Sequence, residues 1–184
     1  MGDTSSGAGE KLKSTSPTNV SIFNEKKPNP QVVRALTDFK IMAVERFPEL
    51  KGQIYNELNK LVQADFSKPD TLGVYSQQLR KIAIASRITG NQDKVRDTVA
   101  HELAHALTST TRIGFRSYDD TFSRAFREYS KTHRTASELS FARSITHYAG
   151  SSREEAFAEA FSDYFRNGKN AKTASKLMMK HWKK

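Results

Sequence analysis

The sequence predicts an α+β fold that is mainly helical, with a small sheet set against one long helix. Three observations lead there. Apolar residues recur at helical spacing in five stretches, one short run alternates in the manner of a strand, and no internal repeat is visible. With 184 residues, the chain suits one compact domain with tails. Its hydrophobic share is only 36% and its mean hydropathy -0.67, yet eleven Phe, six Tyr and one Trp are enough to build a core.

Residues 1–30 are rich in Gly, Ser, Thr, Pro and Lys and read as a flexible N-terminal tail that docks, if at all, through Ile22 and Phe23. The domain is expected over 31–165. Val33, Leu36, Phe39, Ala43 and Phe47 predict one helix, and Leu50, Ile54, Leu58 and Leu61 a second, with Pro48 ending or bending the first; together they span 31–63. Ser67 to Gly73 reads as a loop, and Lys81 to Ser86, extending toward Ile88, as the strand. Thr89-Gly90-Asn91 turns the chain into a helix over 92–108, capped by Asn91 and cored by Val95, Val99, Leu103 and Leu107. A further helix covers 118–131 through Phe122, Phe126 and Tyr129. Residues 132–150 look irregular or briefly extended, and a last helix runs from Ser151 to Phe165, stopped by Asn167-Gly168. Residues 166–184 read as a basic C-terminal tail, with seven Lys or Arg, no acid and weak amphipathy from Leu177, Met178 and Trp182.

Charge and composition bound the chemistry. Thirty Lys and Arg against twenty Asp and Glu give a net charge of +10, which points toward nucleic acid or another anionic partner. There is no Cys, so thiolate metal sites, disulfides and cysteine nucleophiles are excluded. No transmembrane segment and no secretory signal are visible, and the reading is of a soluble protein. The compartment stays open between cytoplasm, a virion and export by another route. Met1-Gly2 with Ser6 matches a myristoylation pattern only formally.

The helix at 92–108 contains His101-Glu102-Leu103-Ala104-His105, an H-E-x-x-H motif. Histidines at i and i+4 share a helix face, with Cβ atoms about 5–6 Å apart, and so can reach one metal ion. Glu102 projects beside them and can accept a proton from water on that metal. Both histidines lie off the apolar stripe, where solvated polar side chains would also sit. A catalytic zinc usually takes a third protein ligand. The extended metzincin pattern is excluded, because Thr108 and Thr111 stand where Gly and His are required. His133, His147, His181 and Glu128 remain open as ligands, and so does the acidic stretch Glu154-Glu155-Ala156-Phe157-Ala158-Glu159-Ala160-Phe161. Glu155 and Glu159 share one helix face, where a carboxylate can hold the second ring N–H of a ligating histidine; Glu159 is expected to do so. Ser152 with Glu155 and Ser151 with Glu154 both have capping-box spacing. The second pair, with Glu154 on a solvated acidic face, would leave Glu155 free.

These two motifs, in this order and about fifty residues apart, resemble the anthrax lethal factor-like metalloprotease domain, the group that includes the Pro-Pro endopeptidases. The resemblance covers roughly residues 75–165. It implies a zincin-like fold and a Zn2+ ion held by His101, His105 and Glu155. It also implies Glu102 as general base, and Tyr148, seven residues before Glu155, as hydrogen-bond donor to the developing oxyanion; His147 is its rival. The implied activity is zinc-dependent endopeptidase cleavage of a polypeptide substrate. The strand near 81–88 is expected to pair with that substrate as an added strand, and loops 64–74 and 109–117 to carry specificity. The alternative is a zincin-like structural or binding module of a larger phage- or toxin-type assembly, contacting nucleic acid or an anionic partner through 166–184. Oligomeric state is not legible.

Overall fold

The computed structural model describes residues 24–88, 91–109 and 113–184. It is a mixed α+β arrangement in which helices predominate around a four-stranded sheet. The first helix, α1 (Pro30–Arg46), starts with Asn29 accepting the Val32 N–H and Pro30 in the first turn, where a missing N–H is harmless. Its buried face is Val32, Ala35, Leu36, Phe39 and Ala43. Val33, expected in the core, is 49% exposed; the buried stripe begins one residue earlier. Pro48 opens a single 3-10 turn before α2 (Lys51–Asn59).

The predicted second helix stops short of 63, because Val62–Asp65 leaves it as a strand, β2. A short strand, β1 (Asn24–Lys26), pairs antiparallel with β2, so the end of the predicted N-terminal tail is part of the sheet. Ile22 and Phe23 lie outside the described residues. Strands β3 (Gly73–Ser76) and β4 (Lys81–Ala85) form a hairpin, and β2 runs parallel to β4, giving the order β1-β2-β4-β3. The predicted strand is therefore central. Ile82, Ala83, Ile84 and Ala85 are fully buried: Ile82 and Ile84 join the main core, and Ala83 forms a small separate cluster with Ala64. With β2 on one side and β3 on the other, β4 has no free edge for an added strand, and that expectation is corrected.

Helix α3 (Gln92–Thr108) starts as predicted, with Asn91 accepting the Lys94 N–H. It lies against β3 and β4 on one side and α6 (Arg153–Asn167) on the other. Between them run α4 (Tyr118–Thr132) and α5 (Glu138–Arg143). The stretch predicted as irregular thus holds a helix, opened by a reciprocal capping box between Ser137 and Ser140 and anchored by the buried Phe141 on Phe122, Phe126 and Tyr129. A 3-10 turn, Tyr148–Ser151, leads into α6, which ends at Gly168 with φ 52, a conformation favoured by glycine.

Residues 166–184 are not a loose tail. They form α7 (Thr173–Trp182), packed on α4 and α6. The Trp182 ring is 1% exposed, with Phe115, Phe157, Phe161 and Phe47 around it at centroid distances of 4.7 to 6.1 Å. Backbone hydrogen bonds from Arg116 N–H to the Trp182 carbonyl and from Lys184 N–H to the Gly114 carbonyl fasten the end of the helix. The lysines occupy its outer face, and the weak amphipathy seen in sequence was enough because only Ala174, Ser175, Met178, Met179 and Trp182 need to face inward. Among the described residues, no helix is long and apolar enough to cross a membrane.

Candidate metal centre

α3 and α6 run antiparallel, and their facing polar side chains meet in register. Asp97 meets Arg166, His101 meets Glu159 and Glu155, and His105 meets Glu155 and Glu154. On their other faces both helices feed one apolar core, through Val99 and Leu103 on α3 and Phe157 and Phe161 on α6, all buried. Serine 152 caps α6, accepting the Glu155 N–H, while the Glu155 side chain turns toward the histidines. Capping and the histidine contacts therefore use different groups of one residue, and neither pair with capping-box spacing closes a reciprocal box.

The donor atoms converge. His101 Nε2 and His105 Nε2 lie 3.2 Å apart, and Glu155 Oε2 is 3.0 Å from the first and 3.6 Å from the second. All three fall within 4.8 Å of one another. The outward ring nitrogens are held by other carboxylates: His101 Nδ1 is 2.9 Å from Glu159 Oε1, and His105 Nδ1 donates to Glu154 Oε1 at 3.2 Å. With a carboxylate on each Nδ1, both Nε2 atoms are directed at the common centre. Glu155 Oε2 is buried without an aligned hydrogen bond. Two imidazole nitrogens and one buried carboxylate oxygen, converging on one point, are a donor set that fits Zn2+.

The electrostatics follow from this crowding. Burial alone would lower the His101 and His105 imidazoles. Contacts with Glu155 and Glu159, and with Glu154 and Glu155, outweigh it and hold them at about 10 and about 9. Burial would raise Glu155, but the two histidines keep it well below the usual carboxylate range. Glu102 is raised, chiefly by burial, with His101 and His105 pulling the other way. It lies beneath β3, accepts the Tyr75 backbone N–H, and sits so close to Gly73 that a Cβ there would be 2.8 Å from Glu102 Cγ. Tyr148 stands across the site, its ring centroid 6.1 Å from that of His101 and its side chain half-exposed. Burial, then the charges of Glu155 and Glu102, push its hydroxyl to about 12.

Thus His101, Glu102, His105, Tyr148, Glu155 and Glu159 occupy one site. The other candidates do not join it. Glu128 pairs with Lys180 and His181, and His133 stacks on Tyr129. His147 is exposed. Two residues escaped the sequence reading. Glu154 is 4% exposed rather than solvated; the clue was that two ligating histidines need two acceptors, and three glutamates were at hand. Gly73 looked like an ordinary loop glycine. A cleft of about 750 Å3 leads from the site along α3 and α6, with Lys68 to Gly73 as its opposite wall. Of the other expected specificity loop, 110–112 lie outside the described residues.

No protein-family model, curated protein or solved structure matches the chain.

Proposed function

We propose that the chain is a zinc-dependent endopeptidase with a zincin-like active site. The observation that carries the reading is the convergence of His101 Nε2, His105 Nε2 and Glu155 Oε2 beside a buried carboxylate, Glu102. His101, His105 and Glu155 would hold the ion. Bound there, zinc supplies Lewis-acid polarisation of a carbonyl and acidification of a water molecule.

The remaining work falls to the chain's own groups. Glu102 takes the proton from the attacking water on its carboxylate and later delivers it to the leaving amine. Its raised affinity for a proton suits both steps. Tyr148 keeps its hydroxyl proton at neutral pH and donates a hydrogen bond to the tetrahedral oxyanion. Glu154 and Glu159 orient the two imidazoles. In the alternative, a zincin-like structural or binding module of a larger assembly, contact with nucleic acid or an anionic partner would use the exposed lysines of a segment folded against α4 and α6.

The test is a peptide-library digest with zinc-loaded protein, beside Glu102→Gln. Cleavage by the wild type, and a loss of roughly a hundredfold or more in the variant with its zinc retained, is the expected result. Retained zinc with unchanged cleavage in Glu102→Gln would remove this mechanism.

A further inference from the structure

The cleft has two chemically different ends. Near the histidines it is dominated by carboxylates. From Glu155 the same face of α6 continues through Glu159 and Ser162 to Arg166, which lines the far end. Arg166 also opens the segment that, to Lys184, carries seven Lys or Arg and no Asp or Glu. A smaller cavity of about 210 Å3 adjoins the cleft, sharing Glu159, Ser162 and Arg166 and reaching Asp163 and Lys172.

Arg166 bonds to Asp97 through Nη1 at 3.2 Å. The arginine is 57% exposed and the aspartate 36%, so Asp97 is the more covered partner and its charge is already answered. A guanidinium has five N–H donors in a planar fork, and one contact leaves it able to grip a second carboxylate. On the opposite wall Lys68 adds a second cation, with the exposed Asp70 two residues further on.

We infer that the far end of the cleft, at Arg166, is a subsite for an acidic residue of the substrate. This rests on the peptidase reading and names the substrate class of that same site. Distance sets the position. Glu155 and Arg166 lie eleven residues apart on one helix, roughly 16 Å at the helical rise. An extended peptide covers that span in about five residues. The favoured substrates therefore carry Asp or Glu four or five residues from the scissile bond, on one side only.

Two measurements test this. The first is a randomised peptide-library digest with zinc-loaded wild type, Arg166→Glu and Lys176→Glu. The last changes net charge equally on the outer face of α7. An exposed pair of this kind corresponds to roughly a two- to fivefold enrichment of acidic residues at that position. Wild type and Lys176→Glu should show it, and Arg166→Glu should prefer Lys or Arg there instead. Cleavage with no acidic preference, or with the same preference in all three proteins, overturns the subsite and leaves the peptidase reading standing.

The second measurement needs no turnover: fluorescence anisotropy of a labelled octa-glutamate peptide with the same three proteins. Weakening in Arg166→Glu alone supports the subsite, even if no cleavage is found and the peptidase reading fails. Equal weakening in both variants is bulk charge attraction and overturns it.

Discussion

Adding one methyl group at Gly73 should disable the site without touching a ligand. A Cβ on this residue would lie 2.6 Å from Thr98 Cγ2, 2.8 Å from Glu102 Cγ and 2.9 Å from Glu102 Oε1. Ordinary carbon contacts begin near 3.5 Å, so in Gly73→Ala these atoms must recede by roughly 0.6 to 0.9 Å. Glu102 has little room to do so, being buried on α3 and tied to the Tyr75 N–H. Overpacking of this kind destabilises by about 1–3 kcal/mol. A misplacement approaching 1 Å at a reacting group lowers turnover by roughly a hundredfold. The assay is threefold: thermal midpoint, zinc stoichiometry, and cleavage of the best library peptide. Zinc near one per chain, a lowered midpoint and a large fall in kcat are expected. A Gly73→Ala protein with wild-type midpoint and wild-type kcat would refute the close approach of β3 to Glu102.

Three further outcomes follow from the same structure. Glu154→Ala should weaken zinc binding by roughly 10- to 100-fold in a chelator competition, because it frees the His105 ring; unchanged affinity would deny Glu154 that part. Trp182→Ala should lower the stability to urea by about 3–5 kcal/mol, as for a buried aromatic; a negligible change would mean that α7 is not part of the core. In chelator-stripped protein the folded state holds protons on His101 and His105 that an unfolded chain releases above its ordinary 6.5. This stabilisation is fully present below that value and is lost as pH rises through about 9 and about 10, so the thermal midpoint should fall over that window. A midpoint flat across that range contradicts the pairing.

Periodicity and motif spacing carried different parts of this structure. The active-site helix was legible to its boundaries because Asn91 caps it and Val95, Val99, Leu103 and Leu107 repeat cleanly. Helical spacing made the i,i+4 pairs legible, His101 with His105 on α3 and Glu155 with Glu159 on α6, whereas the part of Glu155 as third ligand and that of Tyr148, on a 3-10 turn, came only from the family resemblance. The sheet was mostly hidden. Val62–Asp65 and Gly73–Ser76 are four residues each, too short to show a period, and the first continues an apolar helical pattern without a break. Residues 166–184 misled through charge, since lysines on an outer face say nothing about whether the inner face is buried. Glu154 stayed hidden because its neighbour Glu155 has the same chemistry, and only the facing histidines tell the two apart.

The register between α3 and α6 also bears on the order of events when an ion arrives. The hydrogen bond from His105 to Glu154 spans 49 residues of chain. Closing a loop of that length carries an entropic penalty that a metal would have to offset if it were the agent bringing the two helices together. Here α3 and α6 already pack together within one apolar core, and imidazole–carboxylate contacts hold the donors in place. On the proposed reading, an arriving ion would meet a ready-made chelate and displace protons rather than organise chain, unlike a zinc finger, whose fold waits for its metal. With zinc as the proposed cofactor, chelation should abolish cleavage and leave the architecture standing.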